Sequence, residues 1–536
     1  MIKVNLNINK GFKWYTESNI SVKGFLFDSD QNYFEKEQLV GYFKKIKTKK
    51  ELLDKISNAN GLFTVLIQNS DKEILFSNDN IRAFPLFYST QNDVLHISDS
   101  AYEVLKSIQN PELNIPAKNE LLSSSYVGGS NTLIKELLVT QSGQISQFRN
   151  TDLKSEFYFN YYTSSENRSP YDLQKKQLNN ELDNAFERLV VSLGGRKAII
   201  PLSGGFDSRF IACKLKELGY KNVLCYSYGK WNDNQERKTS QRVAKQLGFD
   251  WEFAEYNKDT IGNYIDDETF KNFWLYYTQL STSVMFHDYF ALKYFKEQSI
   301  IPDDSIFIPG HSGDFLGGSQ LYKNGNIKKD ASLERIARNI LKHRFVLTKQ
   351  SSKTKKEIFN NIYSQLKNKH KERELPMAYS IFEDWEINEN LSKYNANSAH
   401  IYDFFGYEYR LPFWDKSLVN YCKTIPYNYK FGKILYDDVL RNKFEELDVN
   451  FDEGRMLNPT EFKFYKLRSI IKSVIPLKII NYLKPKADPL NYDFAQNNLL
   501  EDLKKHPNFS IAKIKTRNSI FTHWYIKQVE ELLNNQ

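Results

Sequence analysis

The residues Pro201-Leu202-Ser203-Gly204-Gly205-Phe206-Asp207-Ser208-Arg209 hold the densest chemistry in the chain. Adjacent glycines allow φ > 0 torsions, which would turn several N–H groups inward as an anion nest. A helix starting near Ser208 would add free amides and its positive dipole end. Ser203 and Ser208 can donate hydroxyl hydrogen bonds to the same phosphate. Asp207 would repel phosphate directly, so a carboxylate here makes sense if Mg²⁺ bridges it to phosphate oxygens. A lone Gly-Gly would be explained as a strand–turn–helix corner. The full S-G-G-x-D-S string favours a pyrophosphate cradle built from Leu202, Ser203, Gly204, Gly205, Asp207 and Ser208.

A second Gly-rich loop follows at Pro309-Gly310-His311-Ser312-Gly313-Asp314-Phe315-Leu316-Gly317-Gly318. If the strands before the two loops lie side by side in a parallel sheet, Asp207 and Asp314 share one crevice and supply two magnesium-binding carboxylates. The plainer reading of Asp314 is a capping residue in a tight loop. His311 reads as a packing or hydrogen-bonding residue ahead of a base. A third segment, Tyr407-Glu408-Tyr409-Arg410-Leu411-Pro412-Phe413-Trp414-Asp415, reads by pattern as a buried turn with an ion pair.

The elements that must position these loops are legible. Gly61 to Ile67 and Glu73 to Phe76 form a hairpin pattern around Asn69-Ser70-Asp71-Lys72, and a further pair is expected at Pro85–Tyr88 and Val94–Ile97. Leu173 to Leu193 has helical apolar spacing. Ala198 to Leu202, Val223 to Tyr228 and Trp251 to Tyr256 read as strands alternating with helices that stop at Gly219 and Gly248, which implies a covered parallel sheet. Beyond about residue 262 the pattern is mainly helical, with one strand at Ser305 to Pro309. The division expected is 1–155, a linker 156–172, a sheet-and-helix unit 173–450 and a helical C-terminal extension 451–536.

An aromatic share of 15% excludes a mostly disordered chain. Three scattered cysteines exclude a disulfide framework or zinc cluster. No secretory signal and no membrane span are visible, so a cytoplasmic location is expected. The formal charge of +9 fits a nucleotide-phosphate site, and nucleic acid is not expected as a partner. A homo-oligomer is left open. Phe462 to Lys486 is a basic amphipathic stretch, read as bundle helices with solvated lysines ahead of a surface for anionic lipid.

The first loop resembles the signature of the PP-loop ATP pyrophosphatases. The loops and the E-x-R-x-P-F-x-D segment, in this order, resemble the synthetase domain of the asparagine synthetase-like family, which includes asparagine, β-lactam and carbapenam synthetases and lasso-peptide cyclases. Gly61-Leu62-Phe63 and Asp79 to Tyr88 look like pieces of the same family's N-terminal domain. The resemblance implies an α/β protein: an N-terminal nucleophile (Ntn)-hydrolase-like α/β sandwich, then a PP-loop parallel α/β domain with a largely helical C-terminal part. It implies an ATP- and Mg²⁺-dependent C–N ligase that forms an acyl-AMP from a small-molecule or carrier-linked carboxylate, releases pyrophosphate, and passes the acyl group to an amine or ammonia. Adenine would lie against Ser227, Tyr228 and Gly229, with Gly310 and Gly313 also at the nucleotide. Glu408, Arg410 and either Lys430 or Lys433 would be catalytic.

The chain departs from that pattern in three places. Position 2 is Ile where glutamine-using members have Cys, and no cysteine precedes Cys213. Glutaminase activity is therefore expected to be absent, with nitrogen coming from ammonia, a substrate amine or a separate ammonia source. Phe315 replaces an acidic residue after Asp314. The position of the phosphate-binding Lys ahead of Leu440-Arg441 holds Asp437, with Lys430 or Lys433 as substitutes. Two other readings are a PP-loop enzyme acting on tRNA and a catalytically silent member.

Overall fold

The computed structural model describes residues 1–232, 234–323, 331–370, 377–451, 488–506 and 509–534. The basic stretch 462–486 lies outside them.

The N-terminal strands are β1 (Ile2–Asn5), β2 (Trp14–Glu17), β3 (Ile20–Phe27), β4 (Tyr33–Glu35), β5 (Asn60–Ser70), β6 (Glu73–Asn78), β7 (Phe87–Gln91), β8 (Val94–Ser98), β9 (Leu138–Val139), β10 (Gln144–Arg149) and β11 (Asp152–Phe157). They form two sheets, β1-β8-β7-β9 and β11-β10-β6-β5-β3-β2, with β4 on β3. Alternation along β5 explains the layering. Phe63, Val65 and Ile67 pack with helices Lys36–Tyr42 and Lys49–Asn58, whereas Leu66 joins Ile74, Phe76, Leu95 and Ile97 between the sheets. A strand buried on both faces reads as an apolar run. Phe87 and Val139 of the smaller sheet pack with helices Ala101–Leu105 and Ile115–Ser124. The result is a helix–sheet–sheet–helix sandwich.

The segment expected as a linker is packed. β11 runs to Phe157, Phe159 and Tyr161 are buried, and a Cβ on Gly143 would lie 2.6 Å from Phe159 Cβ. Helix Tyr171–Leu193 follows.

The second sheet is all parallel, in the order β14-β13-β12-β15-β16. Its strands are β12 (Ala198–Pro201), β13 (Val223–Gly229), β14 (Asp250–Glu255), β15 (Ile306–Phe307) and β16 (Glu408–Tyr409). The chain winds outward from β12 to β14 and then returns to the other side of β12. The loops after β12 and β15 therefore diverge at a topological switch point, where open α/β sheets bind ligands. Leu202 N donates to Tyr226 O and Ile308 N to Ile199 O, both at 2.8 Å, which extends the ladder into the loops. The Glu408–Tyr409 segment is the fifth strand of this sheet rather than a turn, and Arg410 N continues it to Phe307 O at 2.8 Å. Two residues are too few for a periodic pattern.

The sandwich and the parallel-sheet unit share one hydrophobic core, running from Phe12 and Phe25 to Ile199 and Phe307. Gly11 lies so close to Tyr407 that a Cβ would fall 2.2 Å from its carbonyl oxygen. Arg188 grips Asp415 in a two-pronged pair at 2.7 and 2.8 Å, and Asn60 Nδ2 donates to the same carboxylate at 2.8 Å. Arg410 is buried at this joint, 4.0 Å from the Phe25 ring centroid and 2.9 Å from Glu408. Burial opposes the charge on Glu408, but Arg410 and Arg196 outweigh it and hold the carboxyl below its usual range. Removing one member of such a pair strands a desolvated charge. Arg410→Ala is therefore expected to cost about 3 kcal/mol in urea unfolding, with Arg410→Lys recovering only part because the planar stack is lost.

Candidate functional site

A cleft of about 610 Å³ opens at the switch point between β12 and β15. Leu202, Ser203, Gly204, Gly205, Asp207 and Ser208 line it from the first loop, Gly310, His311 and Asp314 from the second, and Ser227 and Tyr228 from β13.

The first loop passes into helix Phe206–Glu217. Ser203 Oγ lies 3.1 Å from Ser208 Oγ and accepts from Gly205 N at 3.1 Å. Neither glycine has φ > 0, contrary to the expectation from their pairing. A Cβ on Gly205 would make a tight contact, 3.2 Å from Ser203 Oγ, whereas one on Gly204 would meet nothing closer than 3.7 Å. The fully buried Arg209 guanidinium donates to Gly204 O at 3.0 Å and Val449 O at 3.2 Å, pinning the loop from behind.

Asp207 is where the loops meet. Its Oδ2 accepts from Asp314 N at 2.8 Å and its Oδ1 from Tyr436 Oη at 3.0 Å. Gly313 faces Asp207 rather than the open cleft: a Cβ there would fall 2.6 Å from Asp207 Cγ and 2.5 Å from Tyr436 Oη. On Gly310 a Cβ would fall 2.7 Å from Ser208 N. Glycine at 310 and 313 thus follows from the second loop pressing against the first. Ser312 takes the left-handed conformation (φ 71°), and Ser312 Oγ and His311 Nε2 reach Asn395 Oδ1 and Ser398 Oγ at 2.8 and 3.3 Å. Burial pushes the His311 imidazole down to about 4, so it is neutral at physiological pH.

Burial and the neighbouring Asp314 carboxylate push the Asp207 carboxyl up to about 7, and Lys433 pulls the other way. A buried carboxylate whose ionisation a neighbouring carboxylate opposes is relieved by a divalent cation. Among the described residues no group of three or more His, Cys, Asp or Glu side chains could hold a metal alone. The donor set fits Mg²⁺ shared between Asp207, Asp314 and ligand oxygens.

The candidate catalytic residues separate. Lys433 lines the cleft, paired with Asp437 at 2.8 Å, and Arg441 stacks 4.9 Å from the Phe206 ring centroid. Lys430 is fully buried, 2.8 Å from Glu383 and outside the cleft lining. Glu408 and Arg410 bind each other at the joint with the sandwich and do not line the cleft. Gly229 (φ 119°) is covered by the turn at Pro489, whose carbonyl accepts from Lys230 N at 2.7 Å. Leu490 of that turn lines the cleft. Sequence reasoning missed Arg209, Asp288, Tyr402, Tyr436 and Leu490. Only Arg209 and Tyr436 sit beside motifs that signalled a site.

The sequence profile of the asparagine synthase family matches residues 177–517. The chain belongs to the asparagine synthase family. The match runs past residue 450, so much of the segment expected as a C-terminal extension lies within the family's own span. Microcin J25-processing protein McjC of Escherichia coli is 25% identical over 285 residues, 51% of this chain and 50% of that protein. A 7-cyano-7-deazaguanine synthase of Methanospirillum hungatei is 42% identical over 52 residues, 10% of this chain and 24% of that protein. The match thus spans half the length of the first relative and about a quarter of the second. The NMN synthetase of Francisella tularensis aligns in structure over 42% of this chain and 96% of its own, at 11% identity and a TM-score of 0.20.

If the loops must touch for the site to form, Gly310→Ala and Gly313→Ala should each weaken binding of ATP with Mg²⁺ at least tenfold by calorimetry. Gly41→Ala, where a Cβ meets nothing within 4 Å, should leave it unchanged.

Proposed function

We propose that this member of the asparagine synthase family is an ATP-dependent C–N ligase that activates a carboxylate as acyl-AMP. The observation that carries this reading is the meeting of Asp207 with the second loop beside the 203–208 amides, at the sheet's switch point.

In this reading Ser203 to Ser208 bind the β- and γ-phosphates through loop amides, the two hydroxyls and the start of helix Phe206–Glu217. Ser227, Tyr228 and Leu490 flank the base. Asp207 and Asp314 would hold magnesium, which when bound neutralises phosphate charge. The substrate carboxylate attacks the α-phosphorus and pyrophosphate leaves. Lys433 and Arg441 stand where charge builds on the departing phosphates. The amine nitrogen then attacks the acyl carbon, the bond to AMP breaks, and the amine's proton passes to solvent. Positioning and fixed charge carry most of the rate.

Nitrogen comes from free ammonia or a substrate amine. Ile2 is the first residue of β1, buried between the sheets, where the glutamine-using pattern calls for a thiol. The three cysteines are buried too, with burial pushing the Cys213 and Cys422 thiols up to about 12. None offers a thiolate for glutamine hydrolysis or for sulfur transfer to tRNA.

The test is product analysis across a carboxylate panel, with ammonium and with primary amines. The expected products are AMP and pyrophosphate, with carboxylate-dependent ATP–pyrophosphate exchange, and Asp207→Asn should lower turnover at least about 100-fold. ADP and phosphate as products would overturn the reading.

A further inference from the structure

The two ends of the cleft differ in how their carboxylates are balanced. At the phosphate end Asp207, Asp314, Asp437 and Glu236 stand with the loop amides, Lys433 and Arg441, and Lys433 pairs with Asp437 at 2.8 Å. The other end has one carboxylate, Asp288, immediately before helix Tyr289–Glu297, and Asp288 forms no ion pair within 4.0 Å among the described residues. Its Oδ2 accepts from Tyr402 Oη at 2.7 Å and Tyr226 Oη at 3.4 Å. The rings behind those hydroxyls are fixed. Tyr402 stacks on Phe307 of β15 at 4.5 Å and 17°, and Tyr226 meets Phe307 and Phe295 edge-on at 6.1 and 5.3 Å. The neutral His311 lines the cleft beside Asp288, and Tyr228, which in the ligase reading flanks the base, borders it.

A carboxylate facing a cleft that also receives a polyphosphate raises the cost of filling it unless a cation lies between them. The groups around Asp288 suit one kind of cation. A carboxylate offers charge-assisted acceptors to N–H donors, and tyrosine rings attract an alkylammonium through their faces. Hydroxyls bonded to Asp288 hold the acceptor in place before any ligand arrives.

We propose that Asp288, held by Tyr226 and Tyr402, is the subsite that receives the nitrogen nucleophile in its protonated form. This rests on the ligase reading for its place in the reaction. The ligand chemistry is a primary ammonium group, whether the amine of a second substrate or ammonium itself. Asp288 is a binding residue: it selects and places the nitrogen, which gives up a proton before attacking the acyl carbon.

The test uses the full chain loaded with a non-hydrolysable ATP analogue and Mg²⁺, with n-propylammonium chloride as probe, read by saturation-transfer NMR. Saturable binding of n-propylammonium is expected, with none of n-propanol. Asp288→Asn should weaken it at least tenfold and Asp288→Glu by less than about threefold. Nucleotide affinity of Asp288→Asn should stay within about threefold, which also reports that the variant folds. Displacement by ammonium chloride at comparable concentration would support the subsite with ammonia as nitrogen source. Tenfold weaker displacement would support it with a substrate amine. Probe binding that is absent, or indifferent to Asp288→Asn, overturns the proposal. So does a tenfold loss of nucleotide affinity in Asp288→Asn, which would assign the carboxylate to the nucleotide's ribose. Failure of the wild-type chain to bind nucleotide would sink the ligase reading instead, and probe binding measured without nucleotide would still decide the subsite.

Discussion

The carboxylate of Asp207 is held from two sides, by a main-chain amide of the second loop and by the Tyr436 hydroxyl. Most of the site follows from that contact. It brings Asp314 close enough to raise the cost of ionising Asp207, which is the electrostatic condition a divalent ion relieves. It also explains why glycine stands at 310 and 313, where a side chain would push the two loops apart.

The parallel sheet makes the contact possible. β12 and β15 are neighbours only because the chain crosses back over β12 after β14, so two loops about a hundred residues apart leave the same edge. β16 then ties that edge to the N-terminal sandwich, and Arg410 and Asp415 anchor the joint. In this arrangement the sandwich buttresses the parallel sheet. The turn at Pro489 and Leu490 closes the cleft beside the end of β13, so residues far along the chain complete a cleft begun at residue 201.

Much of this was legible in the sequence where the signal is local. The β5–β6 hairpin, the strand–loop–helix at 198–217 and the glycine-rich second loop are each written in a dozen residues or fewer. The reason given for Gly204-Gly205 was wrong in kind: neither residue takes a left-handed backbone, and only at Gly205 would a Cβ be tight, 3.2 Å from Ser203 Oγ. Glu408 and Arg410 stand out in sequence as an ion pair in a distinctive motif, yet their charges are spent on each other and on Arg196, away from the cleft. Asp288 and Tyr402 carry no local signal at all. They become neighbours only when helix Tyr289–Glu297 and the segment around residue 400 pack on the same side of β13 and β15.

The most direct measurement of the central claim is a crystal structure of the full chain with Mg²⁺ and a non-hydrolysable ATP analogue. The account predicts the β- and γ-phosphates on the amides of residues 203–208, with one magnesium ion bound by both Asp207 and Asp314. Phosphates seated elsewhere, or a metal ion that touches neither carboxylate, would contradict it.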